Sequence, residues 1–362
     1  MHEATLATTT TVRAAAPDLK TVQVPADGNG QARVATLGGI FAPKPPSFTI
    51  STRLLGRSVL TDTDLTPDEI GEVLETAARL KQLRRDGQPH PYLAGKSLGM
   101  IFQHPSTRTR NAFEAGMEQL GGHATFLGVN DLQVTRGETL PDTAGIMSRY
   151  VDGIAGRFQR QDDLEAFASG ATVPVYNGLS ERFHPIEALS DLLTLRERFG
   201  DLGGLRLAYL GDGNNVCLSL MLSGATCGLD VAIATPPTAA PDPALVAEAV
   251  ARAAASGGRV TLTDDPFAAA AGAAAVYTDV HESMGQPSDD GRRADLARYR
   301  VTTRVMDAAG PDAVFMHCLP MHRGVEVDEE VADGPRSIVF EQAENRLHLH
   351  KAVLLRTLAG AG

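Results

Sequence analysis

The sequence repeats one local pattern twice: a short apolar run, then a polar turn, then a segment with helical spacing of its apolar residues. The first apolar run is Ser97–Phe102 and the second covers residues 205–210. Continuous apolar runs of this length, bounded by turns and followed by helices, are typical of the buried strands of a parallel sheet. The pattern therefore predicts an α/β fold with a parallel sheet in each half of the chain.

Two longer helical patterns predict how the halves are connected. One covers Pro185–Phe199, between the two copies, and the other covers residues 344–358. We expect two doubly wound parallel-sheet domains joined by a long interdomain helix, with a C-terminal helix that closes back on the first domain. The expected divisions are a flexible N-terminal arm (1–48), a first domain (49–184), the interdomain helix (185–202), a second domain (203–340) and the C-terminal helix (341–362).

Composition excludes several classes of protein. The chain has 362 residues, of which 43% are hydrophobic and 21% charged, and its net charge is −11. A negative chain without a basic patch is not expected to bind nucleic acid, and the apolar runs are shorter than the roughly 20 residues of a membrane span. The odd number of cysteines, without a Cys-x-x-Cys pair, predicts neither a disulfide framework nor a zinc site. We therefore expect a cytoplasmic protein.

The turn after the first apolar run offers an unusual concentration of anion-binding groups. Residues Ser106 to Arg110 supply three hydroxyls and two guanidiniums at the expected start of a helix. Free N–H groups at a helix start and arginine side chains both favour a phosphate-sized anion. The alternative is a capped helix with solvated arginines. Because no P-loop or kinase Gly-rich loop accompanies this turn, phosphoryl transfer from a nucleotide is not predicted.

The turn after the second apolar run looks at first like a dinucleotide-binding loop. Gly211-Asp212-Gly213 supplies two of its glycines, but Val216 occupies the position of the third. No acidic residue ends the next strand to hold a ribose, so NAD is not expected. Asn214 and Asn215 could hold a substrate carboxylate or simply cap the helix, and both interpretations remain open.

Four motifs together resemble ornithine carbamoyltransferases from about residue 54 to the C-terminus. In chain order they are Ser-Thr-Arg-Thr-Arg at 106–110, Phe183-His184-Pro185, Asp279-x-x-x-Ser283-Met284-Gly285 and His317-Cys318-Leu319-Pro320. Aspartate carbamoyltransferases share the first motif but have Pro where Cys318 stands, so the last two motifs indicate the acceptor class. The resemblance implies transfer of the carbamoyl group of carbamoyl phosphate to the side-chain amine of L-ornithine. The products are L-citrulline and phosphate, and no cofactor or metal is implied.

The resemblance also implies which residues bind carbamoyl phosphate. The phosphate group is assigned to Ser106, Thr107, Arg108, Thr109 and Arg157, and the carbonyl oxygen to Thr109, His184 and Arg346. Donors on that oxygen would stabilise the oxyanion that forms when the amine attacks. Gln133 matches the position that reaches a neighbouring subunit's phosphate in this family. The expected assembly is therefore a homotrimer or a multiple of trimers.

On the acceptor side, the resemblance assigns the α-ammonium of ornithine to Asp279 and Ser283, and its α-carboxylate to Asn215 and the backbone N–H of Met284. The backbone carbonyls of Cys318 and Leu319 would face the carbamoyl nitrogen. The Cys318 side chain would border the attacking amine without acting as a nucleophile. The implied catalytic residues are Arg108, Thr109, His184, Cys318 and Arg346.

One departure from the family stands beside the implied donor site. The family usually has Gln two residues after His184-Pro185, and this chain has Glu187. Its carboxylate could accept a hydrogen bond from the carbamoyl NH2, but a negative charge near a dianion costs affinity unless Glu187 is protonated or paired with an arginine.

Glu187 and two further departures, at His104 and at His281-Glu282, leave two alternative functions open. One is a carbamoyltransferase with the same mechanism that acts on another diamino acid or amine. The other is a catalytically weak trimeric paralogue with a binding or structural role.

Overall fold

The computed structural model describes residues 9–12, 48–281 and 290–359. The strands are β1 Thr9–Val12, β2 Phe48–Ser51, β3 Ser97–Phe102, β4 His123–Gly128, β5 Gly153–Arg157, β6 Val175–Leu179, β7 Arg206–Leu210, β8 Asp230–Ala234, β9 Arg259–Thr263, β10 Ala275–Thr278 and β11 Val314–His317. The α-helices are α1 Pro67–Arg85, α2 Thr107–Gln119, α3 Leu140–Met147, α4 Gln161–Gly170, α5 Pro185–Phe199, α6 Asn215–Thr226, α7 Pro243–Ser256, α8 Pro266–Ala270, α9 Asp290–Leu296, α10 Thr303–Ala309, α11 Glu329–Ala332 and α12 Val339–Leu358.

The first lobe is built on a four-stranded parallel sheet with the order β4-β3-β5-β6. Its central strand, β3, is buried on both faces from its second residue onward. Because β4 lies on one side of β3 and β5 on the other, the chain changes direction across the sheet between β3 and β5. In doubly wound sheets a ligand binds beyond the carboxyl ends of the strands at such a switch point.

The second lobe has a five-stranded parallel sheet with the order β11-β10-β7-β8-β9. Here the switch point falls between β7 and β10. The predicted fold class is therefore confirmed: two parallel sheets flanked by helices, with a helix between them and a C-terminal helix.

Two helices connect the lobes. The first eleven residues of α5 are all buried, including a polar stripe at helical spacing formed by Glu187, Ser190, Asp191 and Thr194. Helix α12 packs against α5 and also against α1 and α2 of the first lobe. The same hydrophobic core cluster includes side chains from both lobes and from these two helices, so they bury a continuous apolar interior.

Several element boundaries differ from the sequence-based expectation. Helix α2 begins at Thr107 rather than after Arg110, because Ser106 caps it by accepting a hydrogen bond from the Thr109 N–H at 3.3 Å. Helix α12 begins five residues before the predicted start, at Val339. Strands β4, β5, β6 and β9 had not been predicted. Within the expected N-terminal arm, β1 pairs antiparallel with β2, and the other residues of the arm before β2 lie outside the described part of the chain.

Candidate active site

The carboxyl ends of the two sheets bring the motifs of the sequence together. Arg157 is the last residue of β5, and Asp279 and Cys318 directly follow β10 and β11. The two lobes make contact across this region, since Nη2 of Arg108 donates to the Leu319 carbonyl oxygen at 2.5 Å. Residues 211 positions apart in the chain therefore form one site.

Three largely buried guanidiniums converge here, from Arg108, Arg157 and Arg346. Nη2 of Arg346 donates to Oγ1 of Thr109 at 2.6 Å, and Nη1 of Arg157 donates to the Gly178 carbonyl oxygen at 3.3 Å. Burial, together with repulsion from Arg346, lowers the pKa of Arg108 and lowers that of Arg157 to about 10. The lowered pKa values mean that the charged forms of Arg108 and Arg157 are destabilised in this environment. An anion bound between them would offset that destabilisation.

Glu187 lies within this group and is ionised. Its Oε2 lies 2.9 Å from Nη2 of Arg346 and 3.1 Å from Nε2 of His184. Burial alone would raise the pKa of Glu187, but Arg346 and His184 outweigh that effect and lower it to about 2. The sequence left two ways for Glu187 to lie beside a dianion, protonation or an ion pair with an arginine. The structure has the ion pair, and the arginine is Arg346. Three guanidiniums and one carboxylate leave a net charge of +2, equal and opposite to that of a carbamoyl phosphate dianion.

The surroundings of His184 fix its proton arrangement. Burial lowers its pKa, so the ring is neutral near pH 7. Since the ionised Glu187 can only accept a hydrogen bond, the single ring proton is placed on Nε2 and Nδ1 is left as an acceptor. The resemblance implied that His184 donates to the carbonyl oxygen of the substrate. For Nδ1 to do so, the ring would first have to take up a second proton.

Four polar atoms of this group are buried and have no hydrogen-bond partner in the described part of the chain. They are Nε of Arg108, Nε of Arg346, Nδ1 of His184 and Oε1 of Glu187. Buried polar groups in native proteins are nearly always paired, and an unpaired group calls for an explanation. The two arginine nitrogens are hydrogen-bond donors and the other two atoms are acceptors. A small anion that carries a carboxamide group could bind to both kinds of atom.

The acceptor side is organised around Asp279. Its Oδ1 accepts from Sγ of Cys318 at 3.0 Å, and its Oδ2 accepts from Nδ2 of Asn214 at 2.7 Å. Asn214 also caps α6, with Oδ1 accepting from two backbone N–H groups. The structure therefore shows Asn214 as the helix cap, and its role in holding a substrate carboxylate stays a prediction. Asn215 instead donates to the Ser180 carbonyl oxygen at 2.7 Å.

Other expected site residues are not part of this group or cannot be placed. Gln133 is exposed in a short 3-10 helix, Gln133–Arg136, and Thr107 is exposed in the first turn of α2. The loop residues Ser283, Met284 and Gly285 lie outside the described residues, as does Glu282.

Sequence reasoning missed the partners that hold these side chains. The carbonyl oxygens of Gly178 and Ser180 leave no trace in residue identity, because any residue supplies a carbonyl. Asp62 and Ser219 form a hydrogen bond next to the backbone of His184, and neither lies within a motif, although Ser219 is only four residues after Asn215. No sequence signal pointed to them.

One group of side chains has the composition of a metal site. Ligand atoms of Asp279, His317 and Cys318 lie within 4.8 Å of one another. However, Nδ1 of His317 already accepts from the Leu319 N–H at 2.9 Å. Burial and the neighbouring Asp279 raise the pKa of the Cys318 thiol, which disfavours the thiolate that a metal would need. This donor set therefore does not fit a resident metal ion.

Comparison with known proteins identifies the family. The carbamoyl-P binding domain of aspartate/ornithine carbamoyltransferases matches residues 57–197, and the Asp/Orn binding domain of the same family matches residues 203–357. The chain belongs to the aspartate/ornithine carbamoyltransferase family.

Individual relatives cover most of the chain. The ornithine carbamoyltransferase of Symbiobacterium thermophilum is 50% identical over 309 residues, which are 85% of this chain and 100% of the relative. That of Methanoculleus marisnigri is 49% identical over 298 residues, 82% of this chain and 95% of the relative. Among solved structures, the ornithine carbamoyltransferase of Pyrococcus furiosus superposes with a TM-score of 0.83 at 48% identity, covering 85% of this chain and 99% of that one.

Proposed function

We propose that this carbamoyltransferase transfers the carbamoyl group of carbamoyl phosphate to the side-chain amine of L-ornithine, giving L-citrulline and phosphate. The family assignment and the names of its relatives support the reaction. The observation that carries it in this chain is the group of buried guanidiniums with a net charge of +2 and unpaired donors. Such a group suits a small dianion rather than a neutral or cationic substrate.

In this proposal the donor binds at the start of α2. The phosphate group is held by Ser106, Thr107, Arg108, Thr109 and Arg157, and Gln133 of a neighbouring subunit completes the site. The carbamoyl NH2 donates to the unpaired Oε1 of Glu187 and to the backbone carbonyls of Cys318 and Leu319. The ionised Glu187 can accept this hydrogen bond as the amide usual in the family would, but its negative charge lowers the affinity for the dianion.

The chemical step is a direct attack of the amine on the carbonyl carbon. Thr109 and Arg346 donate to the carbonyl oxygen and stabilise the negative charge that develops there, and His184 adds a third donor only when its Nδ1 carries a proton as well. The new C–N bond forms, the C–O bond to phosphate breaks with its electron pair going to the phosphate oxygen, and the departing phosphate takes up the proton that the amine loses. An amine with a pKa near 10.4 is mostly protonated at pH 7, so the rate should rise toward alkaline pH.

On the acceptor side, Asp279 and Ser283 bind the α-ammonium, while Asn215 and the Met284 N–H bind the α-carboxylate. The Cys318 thiol stays protonated because its pKa is raised by burial and by Asp279, which argues against a nucleophilic role. In this proposal the thiol gives up its hydrogen bond to Asp279 when the ammonium arrives.

The larger organisation is also part of the proposal. Residues 49–184 would bind carbamoyl phosphate and residues 203–340 the amino acid, with 185–202 and 341–362 as the connecting and closing helices. Sharing of Gln133 between subunits predicts a homotrimer or a multiple of trimers, and its exposure agrees with this role.

The cysteines are all free thiols, which supports a reducing cytoplasm. One relative is named as an anabolic enzyme, which supports a role in arginine biosynthesis. None of the described helices has the length and apolar content required to cross a membrane.

A panel of amine acceptors tests the proposal. Purified protein is incubated with carbamoyl phosphate and either ornithine, its shorter homologues, lysine or putrescine, and citrulline-type products and phosphate are quantified. Ornithine should give the highest kcat/KM. Preference for another amine would support the first alternative, and no turnover with any of them would support a binding or structural role.

A further inference from the structure

A chain of hydrogen bonds links His184 to a carboxyl group away from the substrates. The backbone N–H of His184 donates to Oγ of Ser219 at 2.8 Å, and the Ser219 hydroxyl donates to Oδ2 of Asp62 at 2.5 Å. Ser223, one turn further along α6, donates to Oδ1 of Asp62 at 2.9 Å. Asp62 is 4% exposed, and His184, Ser219 and Ser223 are also buried, so this series of hydrogen bonds is shielded from water.

This hydrogen-bonded chain joins three parts of the molecule. Asp62 precedes α1 in the first lobe, Ser219 and Ser223 lie on α6 in the second lobe, and His184 is the residue at which α5 begins. Helix α6 also carries Asn214 and Asn215 at its first turn. One carboxyl group therefore connects the start of α5 to the helix that supports the acceptor side.

The backbone N–H of His184 needs such a partner. His184 is the N-cap of α5, where an N–H has no acceptor within the helix, and it is buried. A buried N–H without a partner costs free energy comparable to a lost hydrogen bond. Ser219 supplies the acceptor, and Asp62 fixes the direction in which the Ser219 hydroxyl points.

We propose that Asp62 is a positioning residue for carbamoyl transfer, which acts through Ser219 to fix the backbone of His184 and thereby its imidazole and the adjoining Glu187. This inference rests on the proposed function, because it concerns a residue proposed to contact the carbonyl group of carbamoyl phosphate. Asp62 touches neither substrate. Its effect is on the geometry of His184, whose ring contacts Glu187 one turn along α5.

The charge state of Asp62 gives the link a measurable signature. The described residues include no ion pair to Asp62: α6 presents the hydroxyls of Ser219 and Ser223, and its own segment presents Asp64, another carboxylate. Burial raises the pKa of Asp62 to about 7, and the two hydroxyl hydrogen bonds oppose part of this rise. The carboxyl group therefore titrates near neutral pH.

The ionised and protonated forms hold His184 differently. An ionised carboxylate can only accept, so the Ser219 proton must point to Asp62 and the Ser219 oxygen remains available to the His184 N–H. A protonated carboxyl can donate to the same oxygen and compete with that N–H. Positioning of His184 should therefore improve as pH rises through the pKa of Asp62.

The experiment compares kcat/KM for carbamoyl phosphate, at saturating ornithine, between the wild type, three single variants and one double variant from pH 6 to 9. The ratio of wild type to variant cancels the titration of the substrates. For Asp62→Asn this ratio should rise from about 1 at pH 6 to about 5 to 10 at pH 8.5, with a midpoint near 7. Ser223→Ala removes one hydroxyl donor without touching His184, so it should raise the pKa of Asp62. The ratio of Ser223→Ala to Ser219→Ala should therefore rise with a midpoint at higher pH than the ratio of wild type to Ser219→Ala.

Ser219→Ala breaks the link directly, so the ratio of wild type to this variant should also rise with pH and reach about tenfold at pH 8.5. The double variant Asp62→Asn/Ser219→Ala should lose no more than Ser219→Ala, because the two residues act in series. A flat ratio across pH for Asp62→Asn, or additive losses in the double variant, would overturn the inference. If Asp62→Asn does not fold, the Ser223→Ala midpoint decides. Absence of turnover in the wild type would instead overturn the proposed function.

Discussion

The donor and acceptor sides of the site use opposite electrostatics. The donor cluster, formed by Arg108, Arg157, Arg346 and Glu187, has a net charge of +2 and contains unpaired buried atoms. The acceptor side is built on a single carboxylate, Asp279, whose two oxygens both have neutral donors as partners. The difference matches the two substrates proposed, a dianion and an ammonium.

The two sides also differ in how far they are prepared before substrate binds. Among the guanidiniums, repulsion and burial depress the pKa values of Arg108 and Arg157, and an anion would relieve both effects. Asp279 is already satisfied and has to exchange the Cys318 thiol for an ammonium. We therefore expect variants of the arginines of the donor cluster to lose catalysis, and variants of the acceptor side to lose mainly ornithine affinity.

The largest effect is expected for Arg108→Ala. This change removes a guanidinium from the dianion and also the hydrogen bond to the Leu319 carbonyl that joins the two lobes. We expect kcat/KM for carbamoyl phosphate to fall by about 10³-fold, the size seen when a buried catalytic donor is removed. Steady-state kinetics at saturating ornithine measures it.

Arg110→Ala is the matched control, two residues away on the same helix. The Arg110 guanidinium lies 3.7 Å from the Phe126 ring centroid and pairs with Glu114 at 2.9 Å, away from the donor cluster. Its kcat/KM should change by less than about tenfold. Equal losses in the two variants would show that the motif acts as an undivided basic patch, and the distinction between the two arginines would be wrong.

Asp279→Asn should have the next largest effect, and on the other substrate. The substitution removes the negative charge proposed to hold the α-ammonium while preserving the shape of the side chain. We expect KM for ornithine to rise about 100-fold, corresponding to about 3 kcal/mol, with KM for carbamoyl phosphate changed less than about threefold. An equal rise in both KM values would contradict the division of the site into two sides.

Much of the fold was readable from the sequence because local and tertiary preferences agree. Helix α1 is capped by Thr66, which forms a capping box with Glu69, and α5 has the predicted bounds. Strand β5 was missed because Gly153 and Gly156 lower its strand propensity. It forms because both neighbouring strands pair with it and its residues are fully buried.

The site was predictable to the extent that side-chain identity carries it. The resemblance named Glu187, Arg346 and His184, but it could not show that Glu187 would be the ionised partner of the other two. That pairing depends on α5 and α12 lying side by side, which is a tertiary contact. The partners with no sequence signature, such as the Ser180 carbonyl and Asp62, became visible only in the fold.

Glu187→Gln gives the smallest effect and the sharpest test of the donor cluster's charge. The amide keeps an oxygen that can accept from Arg346 and His184, while the net charge of the cluster rises from +2 to +3. We expect KM for carbamoyl phosphate to fall about threefold to tenfold, since a tenfold change corresponds to about 1.4 kcal/mol. An unchanged or raised KM would mean that the carboxylate of Glu187 does not weaken the binding of carbamoyl phosphate, and the charge argument would then be wrong.

The same variant should lose stability in a pH-dependent way, because Glu187 has a lower pKa in the folded chain than when unfolded. Its ionised form therefore stabilises the fold above its unfolded pKa of about 4.5, and this contribution is lost as pH falls through about 2. At pH 7 the variant should be less stable by about 3 kcal/mol, and the difference should shrink below pH 4.5. Chemical denaturation at pH 7 and at pH 3.5 measures both values. A difference that stays constant between these two pH values would show that the loss comes from packing, and Glu187 would then not be the ion-pair partner of Arg346 that the donor cluster requires.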